Sequence, residues 1–561
     1  MRVSQAVSLS LAVAGGLALP ASTTQQEQWD VIIIGAGPAG IVVADRMSEA
    51  GKKTLLLEQG GPSYYITGGR EEPDWLANTN LSRVDVPGLY NSIYATRDSE
   101  LLCTEQVLSG YGGCTVGGST AINAGLFHLP PASDFDTYFP KQWSSKDVAN
   151  AISKVRAKQP FTDNPSADGK YYLQSGYDAA KEWLVKGAGY AEVALNDVPD
   201  KKTGVFGHAA FNYEGGQRSG PVTTYLQSAL KRSNFELRTG VQVKAVDRNG
   251  KQATGVTVQS NGQESTIGLA SGGRVIVSGG ALFSPGILMK SGIGNPDELS
   301  KLSEAGLLKL APSSWINNTA VGDKLFDNPN TFIELSGSNI KSYTYNYTSP
   351  GQADKDLYLS ARSGPYSFAG QTSAFWDVIN INNTITGVQG TIGAAGYGEY
   401  TDDNTITLNV YGTAGLRSSG RVVIDTKTGR PGREKYFHYT DEGNMDSLAI
   451  ATFVHKIFAA FKTSNSGLTP RNIAQDASVE QIQQYITSST PSTGKDVSHS
   501  SSSCRLGSCV DFDTKLIGTE NIFVVDASIV PPLTTNPVAG IMIAAERASE
   551  LILALDDMNK C

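Results

Sequence analysis

Histidine and cysteine are scarce in this chain, five of each among 561 residues, and the shortage narrows its chemistry before any motif is read. Five cysteines are too few for a disulfide scaffold but suit a large secreted enzyme with one or two bridges. Cys103 with Cys114 and Cys504 with Cys509 are the sequence-local pairings, and Cys561 is left over. No cysteine and histidine cluster has zinc spacing, so no metal is expected. No run of Lys and Arg stands out, and 46 basic against 54 acidic residues leave a net charge of -8. Nucleic acid and anionic membrane surfaces are therefore not expected as partners. No stretch beyond the first residues has the length and apolarity of a spanning helix.

The opening, MRVSQAVSLSLAVAGGLALPAS, sets one Arg ahead of an apolar run and then small residues. It reads as a secretory signal peptide over residues 1–21, its apolar core too short and too rich in Ser, Gly and Ala for a membrane anchor. Four N-x-S/T sequons, at Asn80, Asn317, Asn346 and Asn382, agree with a secreted glycoprotein, extracellular or in the lumen of the secretory pathway.

What the chain has in abundance is glycine, 60 residues, and the organising stretch is VIIIGAGPAGIVVADRMSEAGKKTLLLEQG, residues 31–60. Four apolar residues fit a strand buried on both faces, and Gly35, Gly37 and Gly40 then form G-x-G-x-x-G at the mouth of a helix. In that arrangement the middle glycine admits a pyrophosphate to the backbone, and unpaired N–H groups at the helix start face the phosphates. LLLE brings a second strand ending at Glu58, 18 residues past Gly40, where an acid accepts hydrogen bonds from a ribose. The competing reading, an ordinary glycine-rich turn, does not account for strand, helix, second strand and acid in register.

Further along, residues 62–101 read as an irregular excursion, and residues 109–125, SGYGGCTVGGSTAINAG, as a glycine-rich loop pressed against a ligand. Helical patterns cover residues 145–160, 170–186 and, after a turn, 218–232. Residues 235–260 alternate with period two around a turn at Asn249 and Gly250, and RVIVSGGAL, residues 274–282, is a buried strand ending in glycines. Strands are expected at 331–336, 405–411 and 421–425, with helices at 444–462 and 478–487. The fold class is α/β: a Rossmann-like nucleotide-binding domain built from discontinuous segments, plus an α+β substrate domain on an antiparallel or mixed sheet. Residues 29–145, 204–295 and 496–561 are assigned to the first; residues 146–203 and 296–495 to the second.

These blocks resemble the glucose-methanol-choline oxidoreductases over nearly the whole mature chain. Beside GAGPAG, the run GCTVGGSTAINAGLFHLPPASDFD at residues 113–136 fits the family's first signature, and GALFSPGILMKSGIG at 280–294 fits the second. HSSSSCRLG from His499 and VVDASIVPPLTTNPVAG from Val524 are similar to its C-terminal catalytic blocks. Within the family, GGPSYYITGG, the Cys103 and Cys114 spacing and RSGPVTTYLQSAL look most like the flavin domain of cellobiose dehydrogenase, here without a preceding cytochrome domain. The resemblance implies FAD as cofactor. It places Gly117, Gly118, Ser119 and Asn123 along the pyrophosphate and beside the isoalloxazine, Val243 near the adenine, and Asp526 near the diphosphate or ribityl chain. The alternative for Asp526 is a turn or cap residue after a strand.

The resemblance also implies chemistry. Oxidising an alcohol requires a proton taken from oxygen and a hydride taken from carbon, and flavin N5 accepts the hydride. His499 matches the catalytic base, a role suited to a side chain whose ordinary pKa is about 6.5. Asn536 matches the second residue, its amide holding the substrate oxygen, while Asn-Pro is also a turn signal. His128 lines the access path or packs; His208 and His438 lack any motif; His455 falls on a helix among Phe453, Val454, Ile457 and Phe458 and reads as a core histidine. Two departures from cellobiose dehydrogenase, Ser498 before the His and no Arg in QGTIGAAGYG from Gln389, turn the expectation from a disaccharide toward a smaller or aromatic alcohol or an intermediate of secondary metabolism. The expected partners are such a small-molecule alcohol and an electron acceptor that is oxygen, a quinone or a redox protein. The alternatives are a non-redox lyase or cyclase with FAD as a structural element, and a binding protein that has lost catalysis.

Overall fold

The computed structural model describes residues 27–103 and 112–558. The leader expected over residues 1–21 and Cys561 lie outside the described residues, as does the start of the glycine-rich loop, residues 109–111.

Two sheets divide the molecule. The first is built on Gln28–Ile34, whose apolar residues on both faces need cover on both sides. It pairs in parallel with Thr54–Leu57 on one side and with Gln263–Val277 on the other, so that Ile32 lies opposite Leu55 and Val275. Phe235–Arg238 extends the sheet beyond Thr54–Leu57, and Ile522–Val524 extends it beyond Val275 to Val277, both in parallel. Ile32, Ile33, Leu55, Leu56, Val275 and Ile276 are buried. The helix Pro38–Glu49 packs against the long C-terminal helix Pro537–Met558. This is the Rossmann-like unit, assembled from segments almost 500 residues apart (Arg46 Nε to Glu546 Oε2, 3.0 Å).

The strand expected at 274–282 is longer at its start and shorter at its end. Residues 263–268 pair antiparallel with Gln252–Ser260, which pairs in turn with Gln242–Asn249, and the strand stops at Val277. Gly280 already begins the helix Gly280–Lys290, so the glycines make a second strand-to-helix turn beside the first.

The second sheet has eight strands, with the order Thr469–Pro470, Pro329–Ser336, Thr405–Gly412, Thr384–Gly393, Gln371–Ile381, Val205–His208 and Ala191–Glu192, and Lys495–Asp496 pairing beside Pro329. One face, with Ile333, Leu335, Val388, Ile392, Leu408 and Val410, packs on Met445–Ala459 and Val479–Thr487. Two assignments shift. Val205–His208, placed from sequence in a nucleotide-binding segment, pairs with Gln371–Ile381 in the eight-stranded sheet. Conversely Leu299, Leu302, Leu308 and Val321, placed in the substrate domain, are buried in the core of the nucleotide unit, joined there by Val422 and Ile424 of the strand Gly420–Ile424. The excursion after Glu58 is a chain of short helical turns around Trp75, Leu76, Leu81 and Leu89, which pack on Tyr358 and Tyr366.

Both sequence-local cysteine pairs are bonded, Cys103 with Cys114 and Cys504 with Cys509. Among the described residues no helix is long and apolar enough to cross a membrane, and no group of three or more His, Cys, Asp or Glu is placed to hold a metal ion.

Candidate active site

The glycine turn is shaped for a ligand that comes close to its backbone. A Cβ on Gly40 would stand 2.0 Å from the Gly35 carbonyl oxygen, so the helix can lie this near the strand only with glycine there. A Cβ on Gly37 would meet nothing within 4 Å; this glycine borders the open cleft. The helix starting at Pro38 has no side-chain cap and no acidic residue in its first turn. Its leading N–H groups and dipole are therefore available to an anion.

The other predicted cofactor residues gather around this turn. Glu58 Oε2 accepts from Ala36 N–H at 2.8 Å and Oε1 from Gly60 N–H at 2.9 Å, which leaves each oxygen one acceptor site. Burial raises its carboxyl to about 7 against the pull of those two amides. Gly117 donates its N–H to Ala36, and Gly118 lies against Gly37, with Ser119 exposed to the cleft. Asn123 Oδ1 accepts from Gly125 N–H and from Arg218 Nη1 at 3.0 Å, so its Nδ2 is the group left to donate. Val243 lines the far wall. Asp526 departs from expectation: its carboxylate accepts from the N–H of Gly280 and Ser528 and from the hydroxyls of Ser284 and Ser528. Four donors fill a carboxylate's four acceptor sites, so Asp526 acts as the cap that ties the second glycine turn to the C-terminal segment rather than as an acceptor for ribityl hydroxyls.

One continuous cleft of about 1940 Å³ runs from Gly35, Gly37, Glu58 and Val243 to His499 and Asn536. At its inner end His499 is held from two sides. Its backbone N–H donates to Asp327 Oδ1 at 2.8 Å, and its Nδ1 lies 2.9 Å from Asn328 Oδ1. Asn328 Nδ2 donates to the Gly412 carbonyl at 2.7 Å, which assigns the oxygen of that amide to the ring. Nδ1 therefore carries the imidazole hydrogen and Nε2 keeps its lone pair. Burial pushes the His499 imidazolium down to about 3, so the ring is neutral at any ordinary pH.

Asn536 is oriented just as firmly. Gln389 Nε2 donates to its Oδ1 at 2.9 Å, and its Nδ2 donates to the Tyr411 hydroxyl at 3.2 Å. The same Nδ2 stands 3.5 Å from His499 Nε2. An N–H donor and a bare imidazole nitrogen thus face one spot, where a hydroxyl can accept from one and donate to the other. The loop carrying Asn536 is fixed by Asp134, which accepts from Thr534 N–H at 2.8 Å and from its hydroxyl, and by Trp376 Nε1 donating to the Thr534 carbonyl at 3.0 Å.

Sequence reasoning missed Asp327, Asn328, Gln389 and Tyr411. The polar run Asp-Asn-Pro-Asn at residues 327–330 was the one local signal; the other contacts arise from sheet register. The remaining histidines have structural surroundings. His128 is buried edge-on to Trp376 with neither ring nitrogen hydrogen-bonded and does not line the cleft, so it packs rather than lining the access path. His208 is stacked between Tyr171 and Tyr177, and His438 bonds Asp496. His455 is not a core residue: it faces solvent, its Nδ1 3.1 Å from the Ala477 carbonyl, because residues 455 and 456 fall on the outer side of a helix whose Val454 and Ile457 face inward.

A cradle of backbone amides, a buried acid at the second strand end and a long cleft leading to an imidazole fit a dinucleotide with a ring system at its inner end. Two family models described as GMC oxidoreductase match the chain, over residues 29–330 and residues 416–545. The chain belongs to the GMC oxidoreductase family; it is an FAD-dependent oxidoreductase of the class acting on CH–OH donors. It is 26% identical to an oxygen-dependent choline dehydrogenase of Staphylococcus xylosus, over 94% of this chain and 95% of that one. Among solved structures, formate oxidase of Aspergillus oryzae RIB40 superposes with a TM-score of 0.74 at 17% identity, covering 94% of this chain and 98% of its own. A fungal aryl-alcohol oxidase superposes with a TM-score of 0.67 at 17% identity, covering 94% and 99%.

Proposed function

We propose that this protein oxidises an alcohol or hemiacetal hydroxyl, with His499 as the base and Asn536 as the group that holds the substrate oxygen. The observation carrying the reading is the 3.5 Å approach of Asn536 Nδ2 to His499 Nε2 at the inner end of the nucleotide cleft. The cofactor is held by the amides at Gly35, Gly37 and Gly40, by Glu58, by Gly117, Gly118, Ser119 and Asn123, and by Val243, with Asp526 bracing the turn beside them. FAD, when bound, supplies the hydride acceptor, flavin N5.

The rest is done by side chains. The substrate hydroxyl donates to His499 Nε2 and accepts from Asn536 Nδ2. As the C–H bond breaks, the hydroxyl proton passes to Nε2 and the oxygen becomes a carbonyl. Charging a ring whose burial disfavours the imidazolium makes early proton removal costly, so proton and C–H cleavage move together. Asn536 immediately precedes Pro537, the first residue of a 22-residue helix, and the positive end of that helix adds to the stabilisation of charge on oxygen.

A secretory location is supported by the two disulfides and by the exposure of Asn80, Asn317, Asn346 and Asn382, the four sequon residues. The likeness to the flavin domain of cellobiose dehydrogenase rests on the Cys103 and Cys114 pair and the blocks around it, and Gln389, where that likeness leads one to look for a cation, binds Asn536 instead.

The test is anaerobic mixing of the holoprotein with a panel of alcohols while the flavin absorbance is followed. Bleaching with carbonyl formation is expected, and reoxidation by oxygen, a quinone or a redox protein then identifies the acceptor. Product formed with no bleaching would establish a lyase or cyclase and sink the redox reading.

A further inference from the structure

The eight-stranded sheet is apolar on its helix side, but its other face, the floor of the cleft beside His499, is amide-rich. Alternate positions of three neighbouring strands point that way: Asn330 and Phe332, Asn409 and Tyr411, Gln389 and Thr391. They lie in direct register, Asn330 opposite Tyr411, Phe332 opposite Asn409, and Thr391 opposite Asn409. Gln371, on the next strand, lines the same cleft and donates its Nε2 to the Tyr90 hydroxyl at 3.1 Å.

The oxygens of these amides are what need explaining. Asn330 Oδ1, Gln371 Oε1 and Asn409 Oδ1 are buried and accept no hydrogen bond from the protein. Buried acceptors are normally satisfied, and several left open in one wall call for donors from outside the chain. The wall is also without free charge: Asp496, the lining carboxylate nearest His499 in sequence, accepts from Arg433 Nη1 at 2.7 Å and is bonded to His438 Nε2 at 2.6 Å. A cationic substrate finds no unpaired acid there and an anionic one no unpaired base.

Building on the alcohol-oxidising reading, we infer that the substrate is a neutral alcohol bearing further hydroxyl groups beside the one oxidised. Those hydroxyls donate to the open amide oxygens of Asn330, Asn409 and Gln371, which turn the reacting carbon toward His499 and Asn536. A site built around hydrogen-bond acceptors discriminates sharply against a molecule without the matching donors, since its polar groups are then left buried and unpaired.

The experiment is anaerobic flavin reduction of the holoprotein by three classes of probe: neutral polyols (glycerol, erythritol, D-glucose), benzyl alcohol, and choline. The expected result is that a polyol gives the highest kcat/KM. In Asn409→Leu, nearly the same size but without the acceptor, the ratio of polyol to benzyl alcohol kcat/KM falls by at least about 10-fold. Loss of an unpaired buried oxygen leaves the melting temperature of that variant equal or higher, which separates recognition from misfolding. Faster reduction by choline or benzyl alcohol than by every polyol would overturn the inference while leaving the redox reading intact, as would an unchanged ratio in a folded Asn409→Leu. Reduction by none of the three classes would overturn the redox reading and this inference with it.

Discussion

Asn328 Oδ1 lies 2.9 Å from His499 Nδ1, and its own Nδ2 is anchored 2.7 Å from the Gly412 carbonyl. This relationship decides which imidazole nitrogen is free. A flipped amide would lose the bond to Gly412 and present a donor to Nδ1, moving the ring hydrogen to Nε2 and removing the base. Asn328 is thus a positioning residue that acts through His499, held at the edge of a strand of the second sheet.

Removing the base should separate binding from chemistry. His499→Ala is expected to retain FAD and to slow anaerobic flavin reduction by about 10² to 10⁴-fold. A variant reducing its flavin within a factor of three of the parent would show that the base is elsewhere.

The pH profile tests the tautomer lock. The base works unprotonated, so activity is lost as pH falls through its pKa; with His499 held down to about 3, parent kcat/KM should lack an inflection near 6.5 from this ring. Asn328→Asp puts a carboxylate beside Nδ1, favours the imidazolium, and should move the acid limb to higher pH. An acid limb at the same pH in parent and variant would count against the contact.

Two glycines three residues apart should fail in different ways. Gly40→Ala forces a Cβ to within 2.0 Å of a carbonyl oxygen and should cost stability, read as a lower melting temperature with or without FAD. In Gly37→Ala the Cβ meets no protein atom, so melting of the cofactor-free protein should hold while FAD retention falls. Equal destabilisation of both FAD-free variants would refute the idea that Gly37 serves the ligand.

Glu334 offers a stability test away from the chemistry. Burial pushes its carboxyl up to about 7, although Tyr397 N–H and the Thr407 hydroxyl donate to Oε2. A raised carboxyl pKa means the folded state holds its proton where the unfolded chain has released it, so this group's contribution falls as pH rises from about 4.3 through 7. Glu334→Gln should therefore gain on the parent between pH 5 and pH 8, by on the order of 1 kcal/mol. A difference in melting temperature that stays constant across that range would exclude an ionised Glu334 at pH 8.

Some of this architecture was readable in one dimension and some was not. The turn at Gly35 to Gly40 and the acid at Glu58 were legible because strand, turn, helix and second strand are contiguous, each reinforcing the next. His499 and Asn536 were legible only as members of recognisable blocks, since a lone His in a Ser-rich run has no signature. Asn328, Gln389 and Tyr411 were hidden because their roles depend on register between strands distant in sequence. The hairpin of Gln371–Ile381 and Thr384–Gly393 was overlooked although it announces itself: Asn382 and Asn383, at φ 51° and 64°, are the two left-handed residues of a tight two-residue turn. His455 misled because its neighbours are apolar, while its own angular position on the helix is not.

The sheet that opens with Gln28–Ile34 is closed by Ile522–Val524, and the first helix is covered by the last one, Pro537–Met558. A ribosome making this chain therefore emits the phosphate-gripping turn first and its lid of apolar packing last. Capture of the flavin nucleotide is consequently an event of the released polypeptide, and premature termination even a few dozen codons early yields a product that cannot mature.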